Sequence, residues 1–290
     1  MLEDQRRMLL ETRAHTPAAV AAAAAGRRRR PWLGPSGRLM IIAADHPARG
    51  ALGVGDRPMA MGNRFDLLDR ITVALARQGV DGVLGTADLI EDLLLLGALD
   101  GKLAIGSMNR GGLPGSVYEM DDRFTGYTAS AIADGGLDGG KMLLRMDPGN
   151  PATVSTIASC AEAAGELAER QIRAMIEPFM VKRVDGRAVN DLSADAVIRS
   201  IAIASGLGTT SAYSWLKIPV VDDMERVAEA STLPTLLLGG DAGDRPDEMF
   251  TRWQKALQLP VVRGLVVGRN LLYPPGDDVA AAVDTAVGLL

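Results

Sequence analysis

The sequence predicts a single (β/α)8 TIM barrel with an N-terminal helical extension, an α/β fold, and three observations support this. Short apolar runs, many of them β-branched, recur from Arg38 onward, and each is followed by a longer amphipathic stretch. Eight such strand–helix units fit into about 250 residues, the usual size of such a barrel. The predicted strands are nearly all apolar, which is typical of parallel strands covered on both faces. An open doubly wound sheet is the alternative, but no G-x-G-x-x-G pattern follows the first predicted strand.

The predicted barrel elements alternate regularly along the chain. Strands are expected at 39–44, 82–85, 102–107, 140–146, 171–180, 212–220, 235–239 and 264–268. Helices are expected to follow them at 64–78, 90–97, 126–134, 151–170, 194–205, 224–230, 246–257 and 277–290.

Residues 1–36 are expected to form a helical extension with an Arg-rich linker, and residues 37–290 the barrel domain. The stretch 2–25 is rich in Ala, Glu, Gln and Arg, which favour helix, and it is interrupted at Thr16-Pro17. Four arginines, Arg27–Arg30, follow it. We interpret them as a solvated linker or an oligomer contact, in preference to a phosphate or nucleic-acid site.

The composition narrows the class of protein. Of the 290 residues, 47% are hydrophobic, which excludes a mainly disordered chain, and the net charge of −5 argues against nucleic acid as a partner. A single cysteine, Cys160, excludes an internal disulfide, and two histidines leave little room for a His-ligated metal. The apolar stretch Pro17–Ala25 is too short to span a membrane. A cytoplasmic protein without metal, cofactor or membrane partner is expected.

Charged residues interrupt four of the predicted apolar strands. Asp45 and His46 end the first strand, Lys141 lies in the fourth, Glu177 in the fifth and Lys217 in the sixth. A buried charge costs several kcal/mol unless it is paired. Active sites of these barrels lie at the carboxyl ends of the strands. The residues therefore form either an inert interior network of ion pairs or a catalytic site.

The catalytic interpretation gives each residue a task. Burial among apolar neighbours, with Lys141 as a nearby cation, lowers the pKa of Lys217, and its neutral amine can attack a carbonyl to form a Schiff base. Glu177, on the strand between them, can transfer protons. Asp45 can orient a lysine or bind a substrate hydroxyl, and His46 either contacts substrate or makes a local hydrogen bond. Two lysines and two carboxylates balance in charge.

Two glycine turns suggest a phosphate site. Gly239 and Gly240 follow the seventh predicted strand, and Gly268 and Arg269 follow the eighth. Glycines let backbone N–H groups approach an anion, and the guanidinium adds a bidentate contact. Phosphates bind at this position in many such barrels. The alternative is that these are tight turns that require positive φ.

Three strand motifs resemble those of class I tagatose-1,6-bisphosphate aldolases. They are Gly-Gly-Lys-Met-Leu-Leu-Arg-Met-Asp-Pro (139–148), Ile-Glu-Pro-Phe (176–179) and Trp-Leu-Lys-Ile-Pro (215–219). The resemblance covers residues 38–290 and extends to archaeal-type class I fructose-bisphosphate, deoxyribose-phosphate and sulfofructose-phosphate aldolases. The N-terminal extension and the loop 107–115 depart from the pattern.

The resemblance implies Lys217 as the Schiff-base lysine, Glu177 as acid and base, Lys141 and Asp45 as supporting residues, and the two glycine turns as the phosphate site. The expected substrate is a phosphorylated ketose or keto-sugar acid, cleaved to dihydroxyacetone phosphate and an aldehyde. Candidates are tagatose or fructose bisphosphate and, by similarity to an actinobacterial subgroup of inositol-type sugar-acid breakdown, 2-deoxy-5-keto-gluconate 6-phosphate. Alternatives are a transaldolase- or thiolase-like lysine enzyme and a non-catalytic sugar-phosphate-binding barrel. A homo-oligomer is expected.

Overall fold

Eight parallel strands form a closed barrel in the computed structural model, which describes residues 1–240 and 246–290. The strands are β1 (Leu39–Ala43), β2 (Gly82–Gly85), β3 (Leu103–Ser107), β4 (Gly139–Met146), β5 (Arg173–Val184), β6 (Arg187–Asn190), β7 (Ser214–Ile218), β8 (Thr235–Leu238) and β9 (Val262–Val267). All except β6 belong to the barrel, in the order β1-β2-β3-β4-β5-β7-β8-β9, and β9 pairs with β1 to close it. The predicted fold is confirmed.

The helices surround this barrel. The described residues include α1 (Glu3–His15), α2 (Ala19–Gly26), α3 (Arg64–Ala76), α4 (Ala87–Leu95), α5 (Ala129–Asp134), α6 (Ala152–Glu169), α7 (Ala194–Ser205), α8 (Met224–Ala228), α9 (Pro246–Ala256), α10 (Arg269–Leu272) and α11 (Val279–Val287). Each predicted barrel helix has a counterpart, and the short α10 was not predicted. Side-chain caps from Asn63, Thr128, Ser193 and Asp278 begin four of them. Within the described ranges, none of these helices has the length and apolar character needed to cross a membrane.

The N-terminal segment packs against the barrel. Helices α1 and α2 are separated at residues 16–18, where the sequence places Thr16-Pro17. The side chain of Arg27 is only 3% exposed and lies 3.1 Å from Asp138, which also binds Arg29 at 3.0 Å. The last arginine of the run pairs with Asp81. The interpretation as a solvated linker is therefore wrong for Arg27 and Arg30, because aspartates that precede β2 and β4 bind them to the barrel. Arg28 and Arg29 are 77% and 57% exposed.

Trp32, directly after the arginine run, closes the amino-terminal end of the barrel. It is 7% exposed and packs edge to face on Trp215 of β7, with ring centroids 5.4 Å apart. A Cβ atom at Gly139, where β4 begins, would lie 3.4 Å from the Trp32 ring. The apolar side chains that fill the barrel interior with these two rings are Leu39, Ile41, Ala43, Leu84, Leu103, Ile105, Met175, Leu236 and Val266.

Strand β5 is longer than predicted and forms a hairpin with β6. The two strands pair antiparallel, with Val184 opposite Arg187. Asp185 and Gly186 connect them with positive φ angles of 50° and 78°. Asp-Gly is a strong signal for a two-residue hairpin turn, so the sequence did contain a sign of this element. The hairpin rises from the carboxyl end of the barrel, beside its mouth.

Candidate active site

The four charged strand residues meet inside the barrel. Nζ of Lys217 lies 2.8 Å from Oε1 of Glu177, and Nζ of Lys141 lies 2.5 Å from Oε2 of the same carboxylate. Lys141 also lies 3.2 Å from Oδ2 of Asp45. One carboxylate therefore binds both lysines. The attraction within each ion pair offsets part of the free-energy cost of burying its two ions.

Strand register explains this arrangement. On β5 and β7, Ile176 pairs with Leu216, so the next residues along each strand, Glu177 and Lys217, lie side by side. On β4 and β5, Leu143 pairs with Glu177. Lys141 begins two residues deeper in the barrel, and its long side chain extends toward the carboxylate. Because side chains two apart on a strand point to the same face, these residues share the barrel interior.

Arg110 is a further member of the cluster that the sequence did not identify. It lies in the loop between β3 and α5 and forms an ion pair with Oδ2 of Asp45. Its Nε is 3.3 Å from Oγ of Ser107, which lies 3.2 Å from the same carboxylate oxygen. In the sequence, the loop 107–115 is distinguished only by its departure from the aldolase pattern. Arg110 brings three cations against two carboxylates, which corrects the balanced charge expected from the sequence.

The electrostatics of the cluster favour a neutral lysine. Burial lowers the pKa of Lys217, and the charges of Arg110 and Arg269 lower it further against the opposing effect of Glu177. Burial, followed by Arg110, lowers the pKa of Lys141 well below its ordinary value. The three cations and two carboxylates of the cluster carry a net charge of +1, which the loss of one proton from a lysine would bring to zero. The surplus charge therefore promotes the deprotonated amine that nucleophilic attack requires.

The pKa values of Glu177 and His46, which lie near the lysines, are also shifted. Burial alone would raise the pKa of Glu177, but the charges of Lys141 and Lys217 outweigh it and hold that pKa well below its usual range. Burial and the charge of Arg269 lower the pKa of His46 to about 3. Glu177 is therefore a carboxylate and His46 a neutral imidazole near pH 7.

A cavity of about 500 Å³ opens at the carboxyl ends of the strands, above this cluster. Lys217, Glu177 and His46 line it, whereas Lys141 is completely buried beneath. Oδ1 of Asp45 and Nδ1 of His46 are buried and have no hydrogen-bond partner among residues 1–240 and 246–290. These two atoms are 3.9 Å apart, and of the two residues it is His46 that lines the cavity and is suited to bind a substrate hydroxyl. Lys217 is thus the lysine whose amine can meet a ligand in this cavity.

Both glycine turns lie on the rim of the same cavity. Gly239, Gly240, Gly268 and Arg269 all line it, and Nδ2 of Asn270 joins the turns by donating to the carbonyl of Gly239 at 3.0 Å. Gly240 has a φ of 70°, and a Cβ at Gly268 would lie 2.1 Å from the carbonyl oxygen of Ala43. Backbone geometry alone therefore accounts for glycine at two of these positions. The placement of Arg269 beside them is what favours an anion.

Arginines also line the opposite wall of the cavity. A 3-10 turn after β1 (Pro47–Arg49) places Arg49 there, and Arg110 and Arg145 lie beside it. Arg145 binds Glu119 at 2.5 Å and Asn190 of the hairpin at 3.0 Å, and it also donates to the carbonyl oxygen of residue 188 at 3.2 Å. These bonds fix the β5–β6 hairpin as one side of the cavity.

Across the residues that the structure describes, no group of three or more His, Cys, Asp or Glu side chains is arranged to hold a metal ion. Cys160 is buried in α6. The expectations of a metal-free and cofactor-free reaction, and of a homo-oligomer, stay predictions.

The fold and the site define a TIM barrel with a buried lysine–carboxylate cluster beneath an open cavity. More particularly, the chain belongs to the Cgl0159-like family, whose sequence model matches residues 37–287. The crystal structure of Cgl0159 from Corynebacterium glutamicum (Brevibacterium flavum) is 55% identical and has a TM-score of 0.98. That match covers 100% of this chain and 97% of the other. No curated protein sequence matches this chain.

More distant structures share the fold. A Schiff base forming fructose-1,6-bisphosphate aldolase matches with a TM-score of 0.67 at 17% identity, covering 93% of this chain and 99% of that one. An archaeal fructose 1,6-bisphosphate aldolase matches with a TM-score of 0.63 at 18% identity, covering 93% and 98%. At these identities the likeness shows the barrel fold alone. The more specific resemblance to tagatose-bisphosphate and deoxyribose-phosphate aldolases stays a prediction.

Proposed function

We propose that this protein is a class I aldolase, which forms a Schiff base with a phosphorylated ketose or keto-sugar acid and cleaves it to dihydroxyacetone phosphate and an aldehyde. The observation that carries the proposal is the amine of Lys217, which faces the cavity and lies 2.8 Å from Glu177. The low-identity fold neighbours that are fructose-bisphosphate aldolases are consistent with it.

The first half of the proposed reaction forms the Schiff base. The neutral amine of Lys217 attacks the substrate ketone, and the carbonyl oxygen takes up a proton to give a carbinolamine. Glu177 is within hydrogen-bond reach and relays protons as the carbinolamine loses water. The product is a protonated imine, which keeps one positive charge beside Glu177. Lys141 holds the other oxygen of that carboxylate in place.

The second half breaks the carbon–carbon bond. Glu177 accepts the proton of the hydroxyl on the carbon next but one to the imine, and that carbon becomes the aldehyde as the bond cleaves. The bonding electrons move to the imine and give an enamine on Lys217. Protonation of the enamine carbon and addition of water then release dihydroxyacetone phosphate and restore the amine. His46 lines the cavity and is placed to bind a substrate hydroxyl during this step, and the unpaired Oδ1 of the buried Asp45 lies beside it.

The phosphate end of the substrate is proposed to bind at Gly239, Gly240, Gly268 and Arg269. Strands β7, β8 and β9 are neighbours in the barrel, so this rim lies next to Lys217. A phosphate one carbon from the reacting ketone fits that proximity. Fructose or tagatose bisphosphate and 2-deoxy-5-keto-gluconate 6-phosphate all carry such a phosphate, and they are the proposed substrates.

Borohydride trapping tests the proposal. The protein is incubated with dihydroxyacetone phosphate, reduced with borohydride, and analysed by peptide mass spectrometry. We expect the reduced adduct on Lys217, its loss in Lys217→Met, and its retention on Lys217 in the matched control Lys255→Met, which replaces an exposed lysine of α9. An adduct on Lys141 would reverse the assigned roles of the two lysines. No adduct with any triose or hexose phosphate would refute the aldolase.

A further inference from the structure

We infer that Arg49 binds the end of the substrate distant from its phosphate, and that this end is a carboxylate. The inference deepens the proposed function and rests on it. It gives the far wall of the cavity a specific ligand, and it assigns substrate selection to a residue that is not part of the lysine cluster.

The first argument is position around the barrel. In the closed order of eight strands, β3 and β4 lie four places from β8 and β9 and therefore face them across the mouth. The glycine turns and Arg269 follow β8 and β9. Arg110 follows β3, and Arg145 lies near the end of β4. Arg49 follows β1, beside β9, but its guanidinium extends to Asp122 in the loop after β3 and so joins the second rim. A substrate held by its phosphate at the first rim, with its ketone at Lys217, extends toward the second.

The second argument is an unused donor at that wall. Arg49 is 5% exposed and lines the cavity. Its Nη1 donates to Oδ2 of Asp122 at 2.6 Å, while Oδ1 of Asp122 already accepts the N–H of Gly112 at 3.1 Å. Its Nη2 is buried and has no hydrogen-bond partner in the described ranges 1–240 and 246–290. A buried donor without a partner is costly, and an acceptor from a ligand would satisfy it.

Protein partners bind the neighbouring arginines, Arg145 through all three of its nitrogens and Arg110 through Nε and Nη2. Arg145 donates to Glu119, to Asn190 and to the carbonyl oxygen of Ala188. Arg110 is bound to Asp45 and to Ser107. At this wall, Nη2 of Arg49 is a buried donor without a partner in the described ranges, and it can therefore recognise a new acceptor.

The third argument is charge, which separates a carboxylate from a second phosphate. Each arginine of the far wall is matched by one acid: Arg49 by Asp122, Arg110 by Asp45 and Arg145 by Glu119. Because Asp45 also pairs with Lys141, the wall and the lysine cluster together are neutral when the amine of Lys217 is deprotonated, as Schiff-base formation requires. A phosphate dianion would leave two negative charges poorly compensated there, whereas a carboxylate leaves one and can accept a charge-assisted hydrogen bond from the guanidinium.

The test uses the aldol reaction in the direction of synthesis, because the acceptor aldehyde then carries the far end of the product. Dihydroxyacetone phosphate is combined with 3-oxopropanoate, with 3-hydroxypropanal, or with glyceraldehyde 3-phosphate, which end in a carboxylate, a hydroxyl and a phosphate. For the wild-type protein we expect kcat/KM for the carboxylate acceptor to exceed that for the hydroxyl acceptor by roughly 10-fold to 100-fold.

Substitutions at Arg49 should remove that preference. In Arg49→Gln the ratio should fall to within about 3-fold of unity, because the neutral side chain no longer supplies a charge-assisted hydrogen bond. Arg49→Lys keeps the charge and should retain part of the ratio, and it decides the matter if the glutamine variant does not fold. Arg183→Gln is the matched control, since Arg183 pairs with Asp147 on the extended part of β5 and does not line the cavity. It should keep the full ratio.

The outcomes are distinguishable from those of the proposed function. Equal rates with the carboxylate and hydroxyl acceptors in the wild type, or a preference for the phosphate acceptor, would overturn the inference while the borohydride adduct on Lys217 persists. The inference would also be overturned if kcat/KM fell equally for the carboxylate and the hydroxyl acceptor in Arg49→Lys and in a folded Arg49→Gln. Absence of the adduct in the wild type would instead refute the aldolase, and the inference with it.

Discussion

Replacing Trp32 by alanine would remove the side chain that closes the lower end of the barrel. Trp32 is 7% exposed, and its ring lies 5.4 Å from that of Trp215. Truncating a buried tryptophan costs about 3–5 kcal/mol, of which the edge-to-face contact contributes about 0.5–1.5 kcal/mol. The barrel interior around the gap is formed by rigid strands, so it cannot collapse easily. We therefore expect Trp32→Ala to lower the free energy of unfolding by about 3–5 kcal/mol.

Urea denaturation followed by far-ultraviolet circular dichroism measures this loss without depending on the tryptophan signal. Leu10→Ala is the control, since Leu10 lies on α1 but is 59% exposed, and it should change the stability by about 0.5 kcal/mol or less. If Trp32→Ala lost less than about 1 kcal/mol, well below the range for a buried tryptophan, the segment would not be an integral part of the barrel.

Three further outcomes concern the site. Glu177→Gln should lower kcat for cleavage by roughly 100-fold to 10,000-fold; a steady-state rate near that of the wild type would refute its role as base. Because burial lowers the pKa of Lys217, the acid limb of the pH profile of trapping should lie below 10.5, the ordinary value for lysine. Arg110→Met should move this limb to higher pH by removing a cation that lowers the pKa. A limb that stays in place in Arg110→Met, or that moves equally in Arg183→Met, would contradict this electrostatic account. Dialysis against EDTA should leave cleavage unchanged, and a loss that added divalent metal restores would contradict the expected metal-free reaction.

The lysine cluster was accessible to sequence reasoning because each residue breaks a run of apolar strand positions. Lys141, Glu177 and Lys217 could be placed in one interior as soon as the strands were counted, and the first-strand Asp45 followed. Arg110 was not accessible in this way. It lies in an irregular loop, and its position depends on a carboxylate 65 positions earlier in the chain.

The burial of part of the arginine run could not be predicted for a related reason. A run of arginines is usually solvated, and the partners that bury Arg27, among them Asp138, are more than a hundred residues away. The β5–β6 hairpin differs, because its turn residues, Asp185 and Gly186, are adjacent and carry a recognised signal. The long-range ion pairs of the arginine run leave no local signal in the sequence, whereas the hairpin turn is encoded by two adjacent residues.

The β5–β6 hairpin also bears on which substrate lengths the protein accepts. Strand β5 runs without a break from Glu177 to Val184, a rise of about 23 Å, so the hairpin and the carboxylate share one continuous backbone. A flexible lid would adjust to longer molecules, whereas a wall fixed to β5, the strand of Glu177, limits the length of the substrate that fits the cavity. A homologous series of acceptor aldehydes should therefore show an abrupt cutoff in chain length, and shortening the hairpin should move that cutoff toward longer members.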